Sequence, residues 1–214
     1  MSSRWIVFEG PDDVGKTTLA RAVYDACLAA GMATILTSEP GSPHDPICKV
    51  LRSILFSGDV VESAELFLFL ADRMQHEDRI VLPELAAGKV VLQDRGMLST
   101  FAYQVILQQS GECRVMSDRN RNSNIISAAW TGRRLPDLIV LCDADDDRLD
   151  RRRQLDADHF IQSRGIATTK LYRDIRVGAE EYPKDLVGLQ RMYVTLNTAV
   201  DLERETQRVL DSII

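Results

Sequence analysis

The sequence predicts a three-layer α/β fold in which about five parallel strands form one sheet with helices on both faces. Two observations support this prediction. Short apolar runs rich in β-branched residues alternate along the chain with longer segments of helical periodicity. The first of these runs leads into a glycine-rich turn and then into a helical segment, as in doubly wound sheets.

Five runs predict strands because their apolar residues are consecutive, which suits parallel strands that are covered on both faces. These runs span residues 5–9, 33–37, 89–93, 137–142 and 192–197. Because helical segments separate the runs, we expect crossover connections and a parallel sheet.

Two segments carry the clearest helical signals. In residues 16–31 one helical face is apolar, and Gly31 is a suitable C-terminal cap. That face comprises Leu19, Val23, Ala26 and Ala30. Residues 63–88 form a longer pattern, in which Pro83 predicts a kink or restart and Gly88 marks the end.

The chain shows no repeat, no low-complexity linker and no sign of a second domain, so residues 1–214 predict a single domain. The polar stretch 111–124 is predicted to be a surface loop. A composition of 45% hydrophobic and 27% charged residues is ordinary for a globular protein. The net charge of −6 argues against a general DNA or RNA surface, although it permits a local basic pocket.

Cysteine usage and hydropathy predict a cytoplasmic protein. No run of about 18 apolar residues occurs, so we expect no membrane span, and the N-terminal apolar run is too short for a signal peptide. The four cysteines form no C-x-x-C pair, which disfavours a zinc or redox motif. We expect Cys27, Cys48, Cys113 and Cys142 to be buried free thiols.

Residues 10–17 carry the G-x-x-x-x-G-K-[ST] spacing of a phosphate-binding loop, with a predicted strand before them and a helix after them. Backbone N–H groups around residues 13–16 and the positive end of the helix are suited to hold a nucleotide phosphate. Lys16 is suited to neutralise the β- and γ-phosphates, and the Thr17 hydroxyl is suited to bind Mg²⁺. The predicted nucleotide-binding residues are Gly10, Asp13, Val14, Gly15, Lys16, Thr17 and Thr18.

Seven segments, in order along the chain, resemble the thymidylate kinase family of P-loop nucleoside monophosphate kinases. They are residues 8–18 (FEGPDDVGKTT), 38–41 (SEPG), 66–76 (LFLFLADRMQH), 90–95 (VVLQDR), 99–104 (STFAYQ), 136–145 (PDLIVLCDAD) and 151–160 (RRRQLDADHF). The resemblance implies a P-loop kinase fold with a short lid over residues 151–168. It also implies ATP as phosphoryl donor, Mg²⁺ as cofactor, dTMP as the first-choice acceptor and a homodimer packed through helices.

Phe69 and Arg73 are four residues apart and therefore share one helical face. An aromatic ring there is suited to stack on a base while the guanidinium donates to the base edge. Thymine and uracil present an O4 acceptor where cytosine presents an amino donor, and guanine also presents an acceptor. The arginine therefore favours thymine or uracil without excluding guanine, and the resemblance implies that both residues bind thymine.

Asp94 and Arg95 end the third predicted strand, where side chains face the ligand crevice of an open sheet. Arg95 is suited to grip the acceptor phosphate, and Asp94 is suited to hold that arginine or a metal-bound water. The resemblance implies that Thr100 and Gln104 contact the pyrimidine edge and that Tyr103 crowds the 2′ position. The further acceptor-side residues that it implies are Glu39, Pro40 and Arg52.

Arg151, Arg152 and Arg153 begin the predicted lid, which also contains Asp158. Three consecutive helical arginines cannot all face one way, so we expect one or two of them to reach the phosphates. Arg152 is the predicted catalytic arginine of this group.

Two carboxylates, Asp12 and Asp13, lie inside the phosphate-binding loop. The resemblance implies that Asp12 approaches the acceptor sugar and the metal and, with Lys16 and Arg95, belongs to the catalytic set. Asp13 stands where the family usually has glycine or arginine. Two like charges about 4 Å apart at an effective dielectric of 20 cost on the order of 4 kcal/mol. We therefore hypothesise that Asp13 pairs with the arginines at 151–153.

Four departures from the family pattern lie around the acceptor and the lid: Ser38, residues 42–43, Gly96 and His159. Gly96 replaces a bulkier residue and is interpreted as space for a larger deoxynucleotide. These departures keep two alternatives open. One is a kinase for a modified deoxypyrimidine monophosphate or dGMP, and the other is a nucleotide-binding module with a degenerate active site.

Overall fold

In the residues that the computed structural model describes, five parallel strands form one sheet, which confirms the predicted fold class. The structure describes residues 3–106, 117–155, 169–170, 172–174 and 190–214. The strands are β1 (Arg4–Glu9), β2 (Thr34–Ser38), β3 (Val90–Asp94), β4 (Leu138–Asp143) and β5 (Gln190–Thr195). Their order across the sheet is β2-β3-β1-β4-β5, so β1 lies at its centre between β3 and β4.

In the described part of the chain eight α-helices have defined bounds, and residues 169–170 and 172–174 are also helical. The eight are α1 (Lys16–Ala29), α2 (Pro46–Leu55), α3 (Glu62–His76), α4 (Leu82–Ala86), α5 (Met97–Phe101), α6 (Ser117–Trp130), α7 (Asp146–Leu155) and α8 (Ala199–Ile213). Two π-helical turns, Glu77–Val81 and Ala102–Ile106, follow α3 and α5. Among the described residues no helix is both long and apolar enough to cross a membrane.

Both faces of the sheet are covered, which explains why its strands are apolar throughout. Successive side chains of a strand point to opposite faces. Ile6 and Phe8 of β1 therefore pack in a cluster with residues of α1 and α8. Trp5 and Val7 pack on the other side with Val81, while α3, α5 and α6 form a further cluster that includes residues of β4.

Helix α1 confirms the predicted helix after the phosphate-binding loop but corrects its apolar face. Leu19 and Val23 are fully buried, as expected, and Cys27 continues the buried stripe. Ala30 was expected on this face but is exposed, because the helix ends at Ala29. Gly31 follows in the left-handed region with φ of 76° and donates its N–H to Leu28 O at 3.0 Å.

The helical run over residues 63–88 contains a π-helical turn just before Pro83, where the sequence predicts a kink or restart. The N–H of Leu82 reaches back to the carbonyl of Glu77, the longer spacing of a π turn. Proline itself lacks an N–H to continue the α-helical ladder. The run ends at Gly88, whose φ is 79° and whose N–H donates to Leu85 O at 3.0 Å.

The prediction of a loop over residues 111–124 is wrong for its second half. Helix α6 begins at Ser117, whereas residues 107–116 lie outside the described part. The C-terminal half of α6 packs in the core through Ile126 and Trp130. The sequence of the first turns is polar and has no apolar periodicity, which gave a loop signal.

The thiol prediction is confirmed for the cysteines that the structure describes. Cys27, Cys48 and Cys142 are free and buried, and Cys113 lies outside the described residues. The backbone of Cys142 also explains Gly10, since a Cβ on Gly10 would lie 2.4 Å from Cys142 O. The loop after β1 therefore passes so close to β4 that any side chain at position 10 would clash with the β4 backbone.

Candidate active site

The phosphate-binding loop connects β1 to α1, as its motif predicts. Gly15 caps α1 in the left-handed region with φ of 98°, and Thr17 and Thr18 are exposed on the first helical turn. Val14 is fully buried in the core cluster. Its side chain therefore anchors the loop, which leaves the backbone of Val14 as the part that can meet a nucleotide.

Lys16 is buried under this loop, and its Nζ donates to the carbonyl of Pro11 at 2.5 Å. Burial, reinforced by the positive charge of Arg95, lowers the pKa of Lys16 to about 8. The carboxylates of Asp12 and Asp94 act in the opposite direction. An incoming polyphosphate adds negative charge and therefore favours the protonated ammonium.

Thr17 and Asp94 meet beside the loop, because β3 is paired in register with β1. The Thr17 hydroxyl donates to Asp94 Oδ2 at 2.5 Å. Asp94 Oδ1 is buried and has no hydrogen-bond partner among the described residues. A hydroxyl and a carboxylate are hard oxygen donors of the kind that Mg²⁺ prefers, so this pair fits the metal site expected for them.

Arg95 forms an ion pair with Asp12 rather than with Asp94, which corrects one of the two expected roles of Asp94. The Arg95 guanidinium also donates to Ser99 Oγ at 3.1 Å, and the Tyr103 hydroxyl donates to the second oxygen of Asp12. Arg95 has a φ of 68°, an uncommon backbone conformation for a residue with a side chain. Such conformations persist where the surrounding structure fixes them, often at functional sites.

Glu9 is a site residue that the sequence reasoning missed. Its Oε1 accepts from the backbone N–H groups of Gly96 and Ser99, at 2.8 and 3.2 Å. Its Oε2 accepts from Ser99 Oγ at 2.7 Å and from Tyr172 Oη at 3.0 Å. Glu9 thus fixes Ser99, which in turn contacts Arg95. A carboxylate at the carboxyl end of the central strand, one residue before the loop, was the available signal.

The interpretation of Gly96 as added space for the acceptor is wrong. A Cβ on Gly96 would lie 2.8 Å from Val7 Cγ1 and 3.4 Å from Glu9 Oε1. Gly96 is buried, and it does not line the cavity on the acceptor side. Close packing between β1 and the start of α5 therefore accounts for this glycine.

A cavity of about 420 Å³ opens beside the loop, on the side where the acceptor-binding residues are predicted. Its lining residues are Asp12, Glu39, Pro40, Arg52, Phe56, Phe69, Asp72, Arg73, Arg95, Ser99, Thr100, Tyr103 and Gln104. The cavity brings together every predicted acceptor-side residue except Asp94, which pairs with Thr17 instead. Phe56, Asp72 and Ser99 were not predicted.

The Arg73 guanidinium is fixed from three sides in this cavity. Its Nε donates to Glu39 Oε2 at 2.6 Å, and its Nη1 donates to Thr100 Oγ1 at 2.8 Å. Its central carbon lies 5.0 Å from the centre of the Trp130 ring, a cation–π distance. With Phe69 one turn earlier on α3, the cavity offers an aromatic ring next to a rigid donor.

Arg52 lies at the mouth of the cavity. Its Nη1 donates to the carbonyl of Pro40 at 2.8 Å, and its guanidinium lies 4.8 Å from the centre of the Phe56 ring. Arg52 and Phe56 are exposed, in contrast to Gln104, which is buried and donates to Glu65 Oε1 at 3.3 Å. The cavity therefore has a polar interior and an exposed aromatic rim.

A second cavity, of about 380 Å³, adjoins the other end of the loop. It is lined by Gly15, Thr18, Arg148, Leu196, Asn197, Thr198, Ala199 and Leu202. The Nη2 of Arg148 lies 3.7 Å from the position of a Cβ on Gly15. Arg148 was not predicted, although it stands one turn before Arg151 on α7.

The predicted lid is only partly described. Arg151, Arg152 and Arg153 lie on α7, but their side chains are outside the described part, as are Asp158 and His159. Asp13 has a φ of 64°, in the left-handed region. The roles of the lid arginines and their pairing with Asp13 therefore stay predictions.

A parallel sheet, a phosphate-binding loop at the carboxyl end of its central strand and a cavity on each side of that loop define a P-loop α/β domain of the nucleotide-binding class. The thymidylate kinase family model matches residues 8–181. The chain therefore belongs to the thymidylate kinase family.

Individual relatives agree with this assignment. The thymidylate kinase of Nitratidesulfovibrio vulgaris is 38% identical over 65% of this chain and 61% of that protein. The thymidylate kinase of Finegoldia magna is 32% identical over 75% of this chain and 76% of that protein. The chain thus aligns with about six tenths of the length of the first relative and three quarters of the second.

Solved structures show the same fold. The thymidylate kinase of Ehrlichia chaffeensis superposes with a TM-score of 0.67 at 22% identity, over 100% of both chains. The thymidylate kinase of Candida albicans gives a TM-score of 0.73 at 19% identity, over 99% of this chain and 91% of that one. At these identities the likeness establishes the P-loop kinase fold.

We predict that Asp13 acts through its charge, by pairing with the arginines at 151–153. Asparagine tolerates the left-handed conformation as aspartate does, and glycine adopts it freely. Asp13→Asn and Asp13→Gly should therefore lower turnover several-fold, while the melting temperature stays close to that of the native protein. Unchanged turnover together with unchanged ATP affinity in Asp13→Gly would rule out the pairing.

We predict that nucleotide affinity falls as the pH rises above about 8, because Lys16 then loses its proton in the free protein. Bound phosphates favour the charged lysine, so ADP binding should take up protons increasingly between about pH 7 and pH 9. Calorimetry in buffers of different ionisation heat measures this uptake. Lys16→Met serves as the matched control, and an identical uptake in that variant would assign the proton to another group.

Proposed function

We propose that this chain is a cytoplasmic kinase that transfers the γ-phosphoryl group of ATP to the 5′-phosphate of dTMP, forming dTDP and ADP. The observation that carries the proposal is the cavity in which Phe69, a fixed Arg73 and Arg95 lie together beside the phosphate-binding loop. Membership of the thymidylate kinase family supports the same reaction.

On the donor side, the loop backbone and Lys16 bind the β- and γ-phosphates of ATP. The second cavity, which adjoins Gly15 and Thr18, receives the nucleoside part of the donor. Arg148 lines that cavity and adds positive charge near the loop. The donor is therefore held with its γ-phosphate directed toward the acceptor cavity.

On the acceptor side, the base stacks on Phe69 while the Arg73 guanidinium donates to O4 of thymine. Tyr103 borders the sugar, and Arg95 pairs with the 5′-phosphate, a partner that competes with Asp12 for the guanidinium. A 5′-phosphate is already anionic at neutral pH, so its oxygen attacks without a general base. That oxygen forms the new bond to the γ-phosphorus as the bond to the β-phosphate oxygen breaks, and alignment with charge neutralisation supplies the catalysis.

We propose Mg²⁺ as the cofactor, held by the Thr17 hydroxyl and Asp94. The fit rests on two oxygen donors 2.5 Å apart and on the unpartnered Oδ1 of Asp94. When bound, the ion supplies positive charge to the β- and γ-phosphate oxygens. Across the described residues no group of three or more His, Cys, Asp or Glu side chains could hold a metal. This agrees with Mg²⁺, which binds through one or two carboxylates, substrate phosphates and water.

We predict that dTMP is the preferred acceptor in an ATP- and Mg²⁺-dependent assay of diphosphate formation. The panel comprises dTMP, dUMP, 5-hydroxymethyl-dUMP, dGMP, dCMP and the ribose counterpart of dTMP. dCMP should be at least about tenfold poorer in kcat/KM, since its amino group faces the Arg73 donor. Lys16→Met should abolish turnover, whereas the matched variant Lys89→Met should retain it.

The other outcomes of this panel are equally informative. Preference for dGMP or a modified base would identify a sibling kinase with a different acceptor. No turnover of any acceptor, alongside measurable ATP binding, would identify a nucleotide-binding module instead.

We also propose that the chain forms a homodimer through α2 and α3, which pack against each other. Their outer faces expose apolar side chains: Ile47, Val50 and Ile54 on α2, and Phe67 and Met74 on α3. Each of these side chains is at least 40% exposed. Soluble monomers seldom leave such surfaces uncovered, and a second copy presents the same surface by symmetry. In contrast, the apolar residues Ile126 and Trp130 of α6 are covered within the chain.

We predict that light scattering gives twice the mass of one chain for the native protein. Val50→Glu and Phe67→Glu should each shift the protein to the monomer, because a buried unpaired carboxylate opposes association. Val200→Glu is the matched control, since Val200 is exposed on α8, which packs against α1. A native protein of monomer mass would contradict the proposed dimer.

A further inference from the structure

A buried polar network lies behind the acceptor cavity and connects two helical residues to the loop after β2. We call it the Glu39 network. Glu39 Oε1 accepts from His76 Nδ1 at 2.8 Å, and Glu39 Oε2 accepts from Arg73 Nε at 2.6 Å. The second ring nitrogen of His76 lies 2.8 Å from Thr37 Oγ1, which is 3.0 Å from Ser42 Oγ.

His76 belongs to the structure behind the cavity. Its side chain is 0% exposed, and it is not among the residues that line the cavity. Glu39 and Arg73 do line it. Arg73 and His76 are three residues apart on α3, so both project from one helical face toward the same carboxylate. Among the residues that line the cavity, Glu39 is the one to which His76 is hydrogen-bonded, so His76 acts on the cavity through Glu39.

The network determines the orientation of the Arg73 guanidinium. A guanidinium is planar, and its five N–H groups have fixed directions. Once Nε is bonded to Glu39 and Nη1 to Thr100, the remaining N–H groups point in one set of directions only. Glu39 can hold this orientation because both of its oxygens have a donor.

The charge on Glu39 is retained in this dry environment. Burial alone would raise the pKa of Glu39, but Arg73 and His76 outweigh burial and hold the pKa below its ordinary value. Without His76, Oε1 of Glu39 would be a buried acceptor that has lost its donor. The carboxylate would then shift to find another donor, or a water molecule would enter to supply one. Either change moves the partner of Arg73.

We infer that His76 is a positioning residue for base recognition, which holds Glu39 so that Arg73 presents its free N–H groups to the acceptor base. The inference rests on the proposed function, because that function assigns base recognition to Arg73. It identifies a residue that sets the selectivity of the site without touching the substrate.

The test measures the ratio of kcat/KM for dTMP to kcat/KM for dCMP. This ratio is independent of the fraction of correctly folded enzyme, since both acceptors are assayed on one preparation. His76→Phe removes both ring nitrogens and should lower the ratio about tenfold, chiefly through KM for dTMP. His76→Asn keeps a donor close to the position of Nδ1 and should restore most of the ratio.

Two further variants complete the design. His44→Phe is the matched control, because His44 is exposed and its ring contacts the carbonyl of Leu36 instead of Glu39. Thr37→Val removes the outer partner of His76, together with the contact to Ser42, and should lower the ratio about threefold. If His76→Phe yields no soluble protein, Thr37→Val decides the question. ADP affinity should stay unchanged in all four variants.

The outcomes separate this inference from the proposed function. An unchanged ratio in His76→Phe and Thr37→Val, or an equal loss of ADP and acceptor binding, would overturn the positioning role. A native protein that prefers another base would contradict the proposed acceptor. In that case the variants are tested by the ratio of kcat/KM for the preferred acceptor to kcat/KM for dCMP. If dCMP itself is preferred, dTMP is the second acceptor. An unchanged ratio in the variants would still overturn the role of His76.

Discussion

The parallel register of β1, β2 and β3 is the constraint on which the whole site depends. It places Phe8, Ser38 and Asp94 in one row at the carboxyl edge of the sheet. The ladder continues one step further, because the N–H of Glu39 donates to Asp94 O at 3.0 Å and the N–H of Arg95 donates to Phe8 O at 2.9 Å. These backbone hydrogen bonds fix the main-chain positions of Glu39 and Arg95, whose side chains line the cavity. A shift of one residue in either strand pair would send them to the opposite face of the sheet.

Charge pairing prepares this edge for an anionic ligand. Arg95 and Arg73 each carry a carboxylate partner, Asp12 and Glu39 respectively. The two pairs differ in burial, and this difference separates their roles. Glu39 is 3% exposed and bound on both oxygens, so it serves as a fixed support. Asp12 is 23% exposed and lines the cavity, where the phosphate of the proposed acceptor would compete with it for Arg95.

Local signals in the sequence were enough to predict the five strands, the loop and its helix, because apolar runs and motif spacing lie within short segments. The cavity residues followed from motifs whose members sit on a single element, such as Phe69 and Arg73. Glu9 and His76 were missed because their roles arise from partners 37 to 163 residues away, which spacing along the chain does not reveal. The same limit explains Gly96, whose small size is required by Val7 on a neighbouring strand.

The two acidic residues of the loop, Asp12 and Asp13, are accommodated in different ways. Asp12 is accommodated by Arg95, which reaches it from the β3–α5 junction. Asp13 occupies a left-handed backbone position, which aspartate adopts more readily than most residues with a side chain. Its backbone cost is therefore modest, and electrostatics sets the main constraint at this position. Arg148 lies beside Gly15, two residues further along the loop. Positive charge thus reaches this loop from the β3–α5 junction and from α7, parts of the chain that are distant in sequence, and this charge allows the loop to carry carboxylates.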